Sequence, residues 1–186
     1  MDRKKHTIES AGPGIDAFLS RIIQAAGFDL KYKVGKAETP HPDFENPEVV
    51  VKFTGPDVDL LLSNKAELLL AMEQITMEML RMAPDEHSQL QFDANDYRTL
   101  RIEELRLSAL TAAEKVKTSK MPFQFNPMNS RERRIIHLAL RNEPEVRSES
   151  TGVGPYRQVT IYPAGMPSTP GASRPAPFRK TGGRRR

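Results

Sequence analysis

"DLLLSNKAELLLAM", residues 59–72, sets two leucine-rich runs on either side of a polar junction, Ser63-Asn64-Lys65-Ala66. The apolar residues recur at helical spacing on both sides, and Asn64 tolerates the left-handed backbone that a sharp junction requires. The stretch therefore predicts a short helix over 57–62, a loop at 63–66 and a longer helix over 66–82. On the longer helix Leu68, Met72, Ile75, Met79 and Met82 form a stripe expected to face the core, since Met fills irregular gaps well. Upstream, "GPGIDAFLSRIIQAAG" (12–27) places Ile15, Phe18, Leu19, Ile22, Ile23 and Ala26 on one helical face, with Gly27 set to end it. "FDLKYKVG" (28–35) and "EVVVKF" (48–53) read as strands separated by a loop marked by Pro40, Pro42 and Pro47, and "SQLQFD" (88–93) as a third. The order helix, strand, strand, helix, helix, strand is an α+β unit.

Downstream of it a second α+β unit is expected. Tyr97 to Ser119 forms an amphipathic helix with Ile102, Leu105, Ala109, Ala112 and Val116 on one face. "MPFQFNP" (121–127) is a short strand, "NSRERRIIHLALRNEPEV" (129–146) opens a helix, and "GVGPYRQVTIYP" (152–163) is a turn and a final strand. No repeat with a period of about 20–50 residues is visible.

Bulk properties exclude several classes. The chain has no Cys, which removes disulfides, zinc ribbons and thiol chemistry. No apolar run approaches the roughly 20 residues of a membrane span. The start "MDRKKHTIES" lacks the apolar region of a secretory signal, so a soluble, cytoplasmic protein is expected. The net charge of +4 is unevenly spread: residues 164–186 hold Arg174, Arg179, Lys180, Arg184, Arg185 and Arg186 and no acid. Removing those six from 28 basic residues leaves 22 against 24 acidic ones, a net charge of −2 for residues 1–163. The basic end is rich in Pro, Gly and Ser and is expected to be a disordered tail that contacts polyanions or aids solubility.

The charged helix carries the candidate site. Asn129 is an N-cap with Glu132 three residues on, a capping box. At about 100° per residue, Ile135, Ile136, Ala139 and Leu140 form the buried face. Arg133, His137 and Arg141 fall at successive i, i+4 positions on the opposite side, flanked by Arg134. Cations at that spacing repel, so helix stability does not call for them, whereas an anion lying across them would reverse the sign. Arg offers a planar donor fork for phosphate, and His adds a donor that can also stack on a base. The alternative is a merely solvated face. No phosphate-loop or nucleophile-elbow motif occurs, and His6, His41 and His87 lack metal-ligand spacing, so neither an enzyme nor a cofactor or metal site is expected.

"SRERRIIHLAL" followed by "GVGPYRQVTIYP" resembles the R-three-H domain, a single-strand nucleic-acid binder named for an Arg and a His separated by three residues. The resemblance assigns those roles to Arg133 and His137 and brings in Arg157 of "GPYR". The first unit resembles a type II KH domain (αββααβ), and the two together resemble the bacterial Jag family, also called KhpB. The resemblance implies domains at 13–95 (KH-like) and 96–163 (R-three-H), with a flexible N-terminus over 1–12 and the basic tail over 164–186. It implies an RNA-binding protein, a post-transcriptional regulator or RNA chaperone, whose partners are single-stranded RNA, or single-stranded DNA, and a smaller KH-domain protein. The alternative is an interaction scaffold whose KH-like unit docks a protein. Two departures stand out. The Gly-x-x-Gly clamp of KH domains is replaced by Ser63, Asn64, Lys65 and Ala66, so clamping is expected to weaken, and the further N-terminal domain that many Jag proteins carry is not expected here.

Overall fold

Helix α1 (Ile8–Ala26) starts earlier than its glycine- and proline-bearing sequence implies. The computed structural model, which describes residues 6–36 and 40–167, shows why. Thr7 and Ser10 form a reciprocal capping box: the Ser10 amide donates to Thr7 Oγ1 at 3.3 Å and the Thr7 amide to Ser10 Oγ at 2.8 Å. Residues 8–12, expected to be flexible, are therefore helical, and the helix continues through Pro13. Ala11, Ile15, Leu19 and Ile23 are buried and Phe18 and Ile22 pack at the edge, each large aliphatic contributing about 1.5–3 kcal/mol of burial. The helix stops at Gly27, whose φ of 69° is left-handed and whose amide closes onto Ile23 and Gln24.

Strands β1 (Lys31–Lys36), β2 (Val49–Thr54) and β3 (Leu90–Ala94) form one sheet in the order β1-β2-β3. β1 runs antiparallel to β2, with Lys31 opposite Thr54, and β3 runs parallel to it, with Val49 opposite Leu90. The apolar side of β2 and β3 supplies Val49, Val51, Phe53, Leu90 and Phe92, and the Phe53 and Phe92 rings lie 5.2 Å apart in a tilted pair.

Helix α2 (Val58–Met79) is broken inside by Ser63–Ala66, so helical turns flank a loop as its sequence suggests. Ser63 is extended, and Asn64, Lys65 and Ala66 are all left-handed, with φ of 51°, 62° and 59°. The expected stripe of the longer arm needs correction. Met72 and Met82 are buried, but Ile75 and Met79 are 49% and 37% exposed. The face that turns inward carries Ala66, Leu69, Met72, Glu73, Thr76 and Met77. Two of those are polar, which a hydrophobic pattern cannot anticipate. Glu73 accepts from the Phe92 amide at 2.7 Å and from Arg98 Nη2 at 2.6 Å, while Arg98 Nε donates to the Phe92 carbonyl. The buried carboxylate is thereby satisfied, and it ties the start of α3 (Tyr97–Ser119) to β3.

The chain separates into two units, Met1–Arg101 and Ile102–Arg186, both α+β. In the second, α3 buries Ile102, Leu105, Ala109, Ala112 and Val116 as expected. Its sheet has the order β4-β6-β5, all antiparallel, from β4 (Phe123–Gln124), β5 (Val146–Thr151) and β6 (Gln158–Pro163). β5 was not foreseen: after Val146 its sequence, "RSEST", has no apolar residue to signal a strand. Helix α4 (Ser130–Ala139) packs on β5 and β6 through Ile135, Ile136 and Leu140. Among the described residues, no helix is long and apolar enough to cross a membrane. Residues 168–186, which include Arg174, Arg179, Lys180, Arg184, Arg185 and Arg186, lie outside those described.

Candidate nucleic-acid interface

The site is assembled around a helix start. Asn129 Oδ1 accepts from the Glu132 amide at 2.9 Å, and Glu132 returns the bond to the Asn129 amide at 3.1 Å. This box fixes where α4 begins and hence which way each later side chain points. The preceding residue, Met128, then joins two arginines. Its amide donates to the Arg157 carbonyl at 3.1 Å, and its carbonyl accepts from Arg133 Nη1 at 2.7 Å. Arg157 stands exposed just before β6, at the end of a tight turn that begins at Gly152. Gly152 has φ of 88°, and a Cβ there would lie 2.5 Å from the Tyr156 carbonyl oxygen, so only glycine fits.

The charges are close enough to feel each other. Burial, then the neighbouring Arg157, pushes the Arg133 guanidinium below its ordinary range, and Glu132 offsets part of this. Burial also holds His137 below its ordinary 6.5, with Arg133 and Arg157 adding to the effect. Two other cations of this unit are neutralised: Lys117 lies 2.6 Å from Glu143, and Arg147 pairs with Glu149. Among the described residues, neither Arg133 nor Arg157 lies in an ion pair with a carboxylate. Like charges gathered in this way favour an anion.

His137 is not on a wet face. It is half-buried over β5, with Nδ1 2.7 Å from Ser148 Oγ and Nε2 2.9 Å from Ser150 Oγ. Ser148 and Ser150 are two apart on a strand and so share a face. With its pKa lowered the ring is neutral at pH 7, one nitrogen donating to a hydroxyl and the other accepting. It braces the surface beside the arginines. Arg141 departs from expectation in one respect: α4 ends at Ala139, so Arg141 lies in the turn beyond the helix. Arg134 is exposed on the flank.

Four contributors escaped sequence reading: Met128, Ser148, Ser150 and Tyr156. The first acts through its backbone and the serines through a strand with no apolar pattern. Tyr156, in the turn beside Arg157, is 74% exposed, and an exposed aromatic next to a basic residue in "GPYR" was a usable signal. In the first unit, the Lys65 carbonyl accepts from Tyr97 Oη at 3.1 Å and Ser63 Oγ donates to the Asp59 carbonyl at 3.0 Å, which hold the 63–66 loop. Among the described residues no three His, Asp or Glu side chains cluster to share a metal ion.

Residues 103–163 match the R3H domain family. A Clostridium symbiosum protein named RNA-binding protein KhpB is 30% identical over 144 residues, 77% of this chain and 62% of that protein. The Bacillus subtilis (strain 168) protein of that name is 33% identical over 111 residues, covering 59% of this chain and 53% of its own. One from Lactiplantibacillus plantarum is 31% identical over 120 residues, 64% of this chain and 37% of its own. The chain thus spans less than two thirds of the length of each of these relatives.

Proposed function

We propose that the chain is a KhpB-like R3H-domain protein and that it binds single-stranded RNA, without catalysing a reaction, in the cytoplasm. One observation carries this reading: Met128 draws Arg133 and Arg157 together with no carboxylate of the described residues in an ion pair with either. A backbone phosphate supplies the missing charge, and the Arg133 fork offers it charge-assisted bonds. His137, locked between Ser148 and Ser150, keeps the bed rigid, and Tyr156 offers a face on which a neighbouring base stacks. Arg134 and Arg141 extend the positive field outward. Single-stranded DNA would compete, since phosphate contacts carry no sequence or sugar information by themselves.

The first unit is read as a KH-like domain with an altered clamp. Its loop is left-handed at three successive positions without any glycine, and Ser63 and Ala66 place side chains where a Gly-x-x-Gly clamp keeps bare backbone. The exposed Ile75 and Met79 favour a second role for that unit, the docking of a protein partner such as a smaller KH-domain protein. The test for the RNA reading is photocrosslinking of the purified chain to a uniform single-stranded RNA, with the crosslinked peptides mapped. Crosslinks within residues 128–157 are expected. Crosslinks confined to the 63–66 loop, or none, would refute the site.

A further inference from the structure

A second feature of the R3H unit lies away from its arginines. Between α3 and the edge strand β4 runs a groove of about 510 Å³, lined among others by Leu107, Ser108, Thr111, Lys115, Phe123 and Phe125. Phe123 and Phe125 alternate along the chain and meet edge to face, with ring centroids 5.1 Å apart. Lys115 Nζ lies 5.6 Å from the centre of the Phe123 ring. Both rings are only half-buried, and Leu107 is 56% exposed.

The strand register joins this groove to the arginine cluster. Phe123 is opposite Ile161, the residue also opposite Ser148, so Phe123 shares the sheet face on which Ser148 meets His137. The Phe125 amide donates to the Val159 carbonyl, and Met128 is bonded to Arg157, so one short segment leads directly from the rings to the phosphate site. Between Phe125 and Met128 an extended chain covers at most about 10 Å.

We propose that the groove is a base-stacking subsite for the same single-stranded RNA, taking an unstacked base against Phe123 and Phe125. Lys115 meets the strand's phosphate, and the Ser108 and Thr111 hydroxyls meet the base edge. The combination of aromatic faces, one ammonium and hydroxyls suits a nucleotide better than an apolar peptide, because a wholly apolar occupant would leave Lys115 nothing to pair with. The ligand class rests on the RNA reading above, but the residues are independent of it.

The experiment compares wild type with the Phe123→Leu/Phe125→Leu double variant, which keeps apolar packing but removes the aromatic faces, and with Lys115→Gln. Affinity for a uniform uridine oligonucleotide is measured by filter binding, and circular dichroism reports folding. The double variant should bind about five- to a hundredfold more weakly, the span for losing one stacked base. Lys115→Gln should lower the salt dependence by one phosphate contact. An oligonucleotide with 5-iodouridine at successive positions should crosslink to Phe123 or Phe125 from one position and to the 128–157 region from another, and this decides the matter if the double variant does not fold. Wild-type affinity in a folded double variant, or no crosslink at either ring from any position, overturns the subsite and leaves the groove to a protein contact. If Arg133→Ala binds normally while the double variant is weakened, the arginine site fails and the groove stands.

Discussion

At the scale of single residues, conformation and protonation each leave a measurable trace. Lys65 is exposed, yet sits at φ 62°, where a side chain costs about 1–2 kcal/mol. Glycine there relieves that strain and loses part of the gain to the greater freedom of the unfolded chain. Lys65→Gly should therefore raise stability in urea titrations by about 0.5–1 kcal/mol; a loss would mean that the loop conformation is not strained. Ala66 is different, since its buried methyl offsets the same strain. His137 has the opposite kind of signature. Its folded pKa lies below the ordinary 6.5, so the unfolded chain binds the proton more readily. Its contribution to stability is complete above that unfolded value and is lost as pH falls through the folded value. Wild type should lose stability relative to His137→Gln as pH falls from neutrality through the lowered pKa of the ring. A difference between the two that does not change with pH would show that the ring is not held neutral by burial and the neighbouring arginines.

At the scale of elements, the turn that carries Tyr156 and Arg157 depends on one glycine. Gly152→Ala forces a Cβ against the Tyr156 carbonyl at positive φ and should cost about 1–3 kcal/mol. RNA affinity should fall with it, because the turn sets Arg157 beside Met128; unchanged affinity in filter binding would separate the turn from the site. Helices and strands with a clean apolar period were readable from the chain alone. The face of α3, the capping box of α4, the glycine stop of α1 and the broken α2 all lie where residue chemistry put them. What escaped did so for physical reasons. β5 pairs through its backbone and after Val146 is polar on both faces, and the inward turn of α2 follows a carboxylate that the distant Arg98 and the Phe92 amide make tolerable in the interior. The site was half readable. Arg133, His137 and Arg157 of the proposed site were named from their motif, but the burial of His137 between two serines depends on a strand with no sequence signal, and Arg141 lies two residues past the end of α4.

At the scale of the whole molecule, affinity is expected to come from phosphates and so to depend on salt. The six cations of residues 174–186 would each add about 0.7 to the slope of log affinity against log salt if all engaged. Deleting residues 168–186 should flatten the slope by roughly two to four units while leaving thermal stability nearly unchanged. An unchanged slope would assign that segment to solubility or a protein contact. The arginine pair makes the sharper demand. In the full chain, Arg133→Ala should weaken binding to a uniform single-stranded RNA by about 1–3 kcal/mol, the range for a charge-assisted hydrogen bond. It should also lower the salt slope by about 0.7, and Arg133→Lys should recover only part of the loss, because a point charge lacks the bidentate fork. Arg157→Ala should behave alike, and the double variant should lose less than the sum of the two, since both arginines hold one phosphate. The most direct measurement is therefore a salt titration of RNA affinity for wild type, both single variants and the double variant, all verified as folded. A shared loss with a reduced slope is the expected result; variants that bind as tightly as wild type at every salt concentration would show that the Arg133–Arg157 pair does not hold the strand.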